Sequence, residues 1–498
     1  SRTENFTFDN VSTDITISYA GGVLDVEYTG VADTSGLIDT NGDGSQDANP
    51  TFAGITDRFI KGGIGVNNTN GGVNTANITV DSGSSITMTH LEPGDSKTDN
   101  QIVYDGDGGS SNATDGFVQI GHGGRNVDQV STTGQTGTFN DKVGDIIVTA
   151  VDDLLMENGA YDGKWTRIGH GGADNADRVG GNEAMELSGT IDVTVGGNLM
   201  MDGRAGGEND PNAQNVGISG FANPVQQNAI QIGHGAVLDA YDVVVVEGTV
   251  NGIDSTADIT IDVGNDMTMY AGNGYRASHT QVGHGFASDA ANDRSRLNNV
   301  PTGFTGDIII NVGNDLYMEA SPNAYIKAPI TAVEEFVIGA SAVIGHGGTL
   351  LDAPSTGNIS IFTGNDLTMV GSQRTEVRAD DDLSNALGSV LNTVKIGHYS
   401  NEIGRVVGQG PVTESDMEGD ILIVVTNDLT MTGSSTVSGN GVDEPIVGAI
   451  NQIGHGGPGV SGDKAGNITL LVGNNFSSTG GQPTNPGQEL NNYTMIGN

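Results

Sequence analysis

Apolar and polar residues alternate along this chain in short bursts, and most bursts pass through one recurring corner. The clearest copies are Asp258-Ile-Thr-Ile-Asp-Val-Gly-Asn-Asp-Met-Thr-Met269 and Asp307-Ile-Ile-Ile-Asn-Val-Gly-Asn-Asp-Leu-Tyr-Met318. In the first, Ile259, Ile261 and Val263 share one face while Asp258, Thr260 and Asp262 share the other, the period of two that marks a half-buried strand. Gly264-Asn265-Asp266 breaks the period, and Met267 and Met269 resume the apolar face. Each copy therefore reads as strand, corner, strand. Others begin at Asn77, Asp145, Thr190, Asn358, Asp420 and Asn467, with a looser one near Asp14.

A second motif, Ile-Gly-His-Gly, alternates with the first. Its histidines are His122, His170, His234, His284, His346, His398 and His455, spaced by 48 to 64 residues. Degenerate copies stand at Ile64-Gly65-Val66 and Ile496-Gly497-Asn498. Two motifs alternating at a loose period are the signature of stacked repeats. The fold predicted is all-β, a parallel β-helix or solenoid of about eight irregular repeats with long loops over residues 61–498. Residues 1–60 match less well and are expected to form an N-terminal end rung or cap.

The shortest segments allow one turn of three short strands and three corners. Rungs lie about 4.8 Å apart, so eight or nine of them make a rod on the order of 40 Å, or two to three times longer if the spacers also coil. The Gly-, Asn-, Asp- and Ser-rich spacers read as surface loops. One differs: Leu383, Ala386, Leu387, Val390 and Leu391 have helical spacing after Asp380–Asp382, which predicts a short helix.

Stacking in register predicts columns of like side chains. Met88, Met156, Met201, Met269, Met318, Met369 and Met431 form one, at strand parity among Leu and Ile, which makes them core and not a copper box. Asn265, Asn314, Asn365, Asn427 and Asn474 form a second at the corner, where stacked amides hydrogen-bond from rung to rung. The histidines form a third, on the same inward face as the preceding isoleucine. A parallel stack does not converge on one ion as metal ligands do, so a structural ladder of neutral rings, bonded onward or to corner carbonyls, is weighed ahead of a metal wire or proton relay. The glycines beside each histidine make a stripe without side chains, able to seat a spacer loop or a neighbouring molecule.

Composition narrows the function. Only 5% of residues are aromatic and 79 are glycine, too little bulk for one large core but enough for many thin rungs. The net charge of -43 repels nucleic acid and anionic membrane surfaces and attracts cations. No apolar run reaches the roughly 18 residues of a membrane span, so membrane insertion is not expected. With no cysteine there are no disulfides or thiolate sites.

Asp39, Asn41, Asp43, Ser45 and Asp47 alternate along a turn with Gly44, the spacing of a calcium loop. Pro50 stands where an EF-hand has its bidentate glutamate, so the choice is a partial calcium site or a plain acidic turn. Gly454–Gly459 matches a dinucleotide fingerprint only formally, because it closes on Pro458-Gly459 where the fingerprint opens a helix. Basic residues are scattered, and no pair of carboxylates stands out for glycoside cleavage.

The "GNDLTM"-like strands at Gly264–Met269, Gly364–Met369 and Asn427–Met431, paired with Gln231–Gly235 and Gln452–Gly457, resemble the filamentous-haemagglutinin type of repetitive surface adhesin, exported by two-partner secretion. The resemblance implies a right-handed parallel β-helix and a role in adhesion or surface structure. Together these readings predict a non-catalytic, extracellular or cell-surface scaffold, a stalk or fibre that stacks on itself end to end through its open last rung. Its expected partners are itself or a glycan or protein of a host or neighbouring cell. The alternatives are a glycan-binding or glycan-cleaving β-helix and a calcium-dependent matrix component.

Overall fold

In the computed structural model the described residues are 77–90, 117–122, 141–157, 165–171, 185–204, 229–235, 243–245, 247–250, 253–271, 279–285, 303–320, 340–349, 354–371, 389–401, 416–433, 447–457, 462–480 and 493–498, with short strands between 4 and 64 and in the later spacers. Among them every regular element is a strand. The protein is a parallel β-solenoid, and one turn shows how the sequence builds it. Ile259–Val263 lies in a first sheet, Gly264–Asp266 turns the corner, Met267–Tyr270 lies in a second, and His279–Val282 in a third. Phe304–Thr305 then leads through Gly306 into Ile308–Val312, back in the first sheet one rung higher.

Registers settle the coil count. Ile259 pairs with Ile191 on one side and Ile308 on the other, and Met269 pairs with Met201 and Met318. Each motif copy rests directly on the next, so successive copies are one coil apart with no further rung between them. The three principal sheets are each ten-stranded.

Two features depart from the sequence reading. A fourth sheet of seven strands runs from Lys142–Val143 to Lys464–Ala465. Its strands are two to four residues long, too short to show a period of two. The predicted helix is also replaced where the structure describes it: Val390 and Leu391 lie in the strand Ser389–Ile396, in register with Val447 and Gly448. Pairing to a neighbouring rung overrides local helical spacing there.

The first two sheets alternate cleanly. In Ile259–Val263 and Met267–Tyr270 the residues alternate between buried and at least partly exposed. All seven methionines of the predicted column are 0% exposed, stacked among Ile, Val and Leu. Each such buried side chain contributes about 1.5–3 kcal/mol gross. The third sheet is different, buried on both faces at Trp165–Ile168, Ala229–Ile232 and His279–Val282.

The ends differ as well. Ile15–Tyr19 and Leu24–Tyr28 join the first two sheets in register with Ile78–Ser82 and Ile86–His90. Glu4–Asn5 lies antiparallel on the first of these strands and Arg58–Lys61 parallel on the second. In the last rung Ile468, Leu470 and Val472 are only partly buried, and Phe476 is 50% exposed.

Candidate functional site: a buried histidine column

The turn after each third-sheet strand carries the motif with the most chemistry. Its first glycine adopts φ between +141° and +154° at every described copy from Gly121 to Gly497. A Cβ on Gly233 would lie 2.0 Å from the carbonyl oxygen of Gly283. Only glycine permits both the conformation and the close rung. The side-chain-free stripe therefore seats the backbone of the adjacent rung, not the spacer loop or neighbouring molecule expected from the sequence, and Gly233 is itself buried.

That turn aims each imidazole inward. The seven rings are 0–1% exposed and stack with centroids 4.7–5.0 Å apart. Six of the seven rings, from His170 to His455, each make two bonds, neither to another ring. The backbone N–H of His122 donates to Nδ1 of His170, and the pattern repeats through His455 at 2.9–3.2 Å. Nδ1 is thus an acceptor, which places the proton on Nε2. Nε2 then donates to a carbonyl at the start of the same coil: His170 to Gly144 at 2.7 Å, His234 to Gly189 at 2.8 Å, His346 to Gly306 at 2.6 Å, His398 to Gly357 at 2.9 Å and His455 to Gly419 at 2.7 Å. His284 bonds the Ala257 carbonyl in the same way. Each imidazole closes its own turn and ties it to the turn below.

In the last rung the backbone N–H of His455 donates to Oδ1 of Asn498 at 2.7 Å. The degenerate motif keeps the acceptor and drops the ring.

Protonation would set Nδ1–H against the N–H it now accepts. Burial, opposed in part by the carbonyl bonds, holds His234 and His346 at about 4. Burial also pushes His170, His284 and His398 well below the ordinary imidazole range, reinforced by neighbouring rings. With one nitrogen protonated and the other accepting, these bonds leave no ring lone pair for a metal. Rings bonded to backbone and not to each other do not form a relay. Among the described residues no group of three His, Asp or Glu side chains is arranged to hold an ion.

Three positions before each histidine stands a second column, of which the sequence reading quoted only Gln231 and Gln452, without a role: Gln119, Arg167, Gln231, Gln281, Val343, Lys395 and Gln452. All are at most 7% exposed. Gln231 Nε2 donates to the carbonyls of Gly283 and Gly285, and Gln281 Nε2 to those of Gly345 and Gly347. These amides latch the turn of the rung ahead. The recurrence of glutamine at that offset was the available signal.

Outside, the corners carry columns of Asp and Asn. Backbone N–H groups of Asp315, Asp366, Asp428 and Asn475 donate to Oδ1 of Asp266, Asp315, Asp366 and Asp428 at 2.9–3.2 Å. The predicted asparagine ladder holds in its backbone, where the N–H of Asn314 bonds Asn265 O and so on to Asn474. Its amides go mainly elsewhere: Nδ2 of Asn314, Asn365 and Asn427 donates to Asp266, Asp315 and Asp366 at 2.6–2.7 Å. Only Asn474 also reaches an amide, Asn427 Oδ1 at 3.3 Å. A carboxylate is the stronger acceptor. The candidate calcium ligands Asp39, Asn41, Asp43, Ser45 and Asp47 lie outside the described residues.

Comparison with protein-family models, curated proteins and solved structures finds no match.

Proposed function

We propose that this chain is a non-catalytic structural or adhesive rod of the cell surface, which presents its loops at fixed intervals along a stiff axis. The observation that supports this reading most is the commitment of the repeated polar groups. Six successive histidines, His170 to His455, spend both ring nitrogens on holding the coil together, and the corner aspartates Asp266, Asp315, Asp366 and Asp428 spend Oδ1 on the next backbone N–H. Chemistry that recurs in register at every rung serves stacking, whereas a catalytic site needs unlike groups converging at one place. The acidic exterior keeps such a rod soluble and suits calcium-bearing surroundings. The likeness of the motifs to haemagglutinin-type adhesins points the same way.

Negative-stain electron microscopy of the purified chain checks the rod. Single particles of uniform width are expected, lengthened by about 4.8 Å for each repeat duplicated; compact round particles would remove the proposal. Incubation with intact cells and immobilised glycans separates adhesion from cleavage. Retention without released sugar is expected, and released fragments would turn the assignment to a glycan-cleaving β-helix. A chelator is expected to lower the unfolding midpoint if Asp39–Asp47 holds calcium, and an unchanged midpoint removes calcium from the proposal.

A further inference from the structure

Within the glutamine column two members carry charge, and they differ. Lys395 Nζ donates to Gln452 Oε1 at 2.9 Å and to the Gly456 carbonyl, and burial pushes its pKa well below the ordinary lysine value. A lysine in such a place can shed its proton. Arg167 cannot: burial lowers it only to about 9, so it is a cation at neutral pH.

Arg167 is 1% exposed. One terminal nitrogen, Nη1, donates to the Gly235 carbonyl at 2.6 Å, standing in for the glutamine amide of other rungs. The remaining edge, Nε and Nη2, has no hydrogen-bond partner. The guanidinium carbon lies 5.0 Å from the centroid of the Trp165 ring. Gln119, in register one rung below, leaves its own Oε1 unpartnered and so does not close the fork. No carboxylate among the described residues pairs with Arg167. A buried charge without a counter-charge costs several kcal/mol, which folded proteins avoid by pairing it.

We propose that Arg167 is the centre of a buried anion site, in which the Nε and Nη2 edge holds one small monovalent anion of the halide class beside Trp165. A pair of N–H donors on a charged guanidinium is a strong anion-binding edge. No second buried cation adjoins Arg167 in its column to share the charge of a phosphate or sulfate. The site is independent of any surface role of the rod.

Trp165 is the only tryptophan in the chain and is 2% exposed, so it reports on this place alone. Bromide, whose heavy atom quenches indole at contact, is titrated into the full chain at constant ionic strength with gluconate as the balancing anion. A saturable loss of Trp165 emission is expected, reversed by chloride. The thermal midpoint should also rise with chloride concentration and level off, as for a ligand bound only by the folded state. Arg167→Gln, which restores the residue found at four other rungs, should abolish both effects and leave the midpoint in gluconate at or above that of the unchanged chain. Quenching that stays linear and indifferent to chloride, with equal midpoints in chloride and gluconate, overturns the proposal. Should Arg167→Gln fail to fold, the chloride competition on the unchanged chain decides alone.

Discussion

At the turn after the third sheet, the N–H of His234 donates to an imidazole of the rung ahead. At the corner between the first and second sheets, the N–H of Asp315 donates to a carboxylate of the rung behind. Both regions meet the same need, because a corner leaves backbone donors that the strand ladder does not reach. They meet it with opposite chemistry. In the dry interior the acceptor is a neutral ring, since an unpaired carboxylate there would be expensive. At the wet surface the acceptor is an aspartate, whose charge stays hydrated. The same contrast governs the glycines. Every described copy of the inner turn from Gly121 to Gly497 has glycine at positive φ, whereas the outer corner admits Val151 and Thr426 in register with Gly196 and Gly364.

The contrast can be broken first at those glycines. Gly283→Ala places a Cβ 2.0 Å from the Gly345 carbonyl and demands a backbone that alanine resists. A loss of more than about 4 kcal/mol in urea unfolding is expected. Gly264→Ala, at the outer corner, also meets a carbonyl oxygen, that of Gly196 at 2.1 Å, but demands no positive φ, and the corner already admits Thr426 one repeat on from Gly364; its loss is expected to be smaller, about 2 kcal/mol. Equal losses would show that the two corners are alike.

His284→Ala comes next. It strips the acceptor from the His234 N–H and the donor from the Ala257 carbonyl and leaves a hole, a loss of about 3–5 kcal/mol. His284→Asn keeps an acceptor, as Asn498 does, and should recover a measurable part of that loss in the urea midpoint.

Acid tests the inner column as a whole. His234 and His346 stand at about 4 when folded and near the ordinary value of 6.5 when unfolded. The unfolded chain therefore binds more protons as pH falls below 6.5. Stability is full above that pH, declines by about 1.4 kcal/mol per unit for each ring toward pH 4, and levels off below it. Urea midpoints across this range check the slope. A flat profile between pH 6.5 and 4 would mean that the rings are already charged or exposed.

The smallest effect belongs outside. Asp315→Ala removes the acceptor of the Asp366 N–H and the Asn365 amide, two part-buried bonds, a loss of about 1 kcal/mol. Asp315→Asn keeps the acceptor and relieves repulsion from Asp266 and Asp366 above and below. Its urea midpoint should match or slightly exceed that of the unchanged chain at low salt, and the gain should vanish at high salt.

Much of this was legible in the chain itself. The parity of Ile259, Ile261 and Val263, the methionine column and the inward histidines follow from a period of two and from repetition, because like residues stacked in register need no information beyond their own repeat. The tertiary structure decided the rest. Which atom each imidazole bonds depends on the carbonyl that the coil brings round 26 to 45 residues earlier, and no single motif contains that geometry. The fourth sheet, the strand at Val390 and the unpartnered edge of Arg167 belong to the same class. Each is set by what an adjacent rung presents, and directional bonds between rungs exist only once the rungs have stacked.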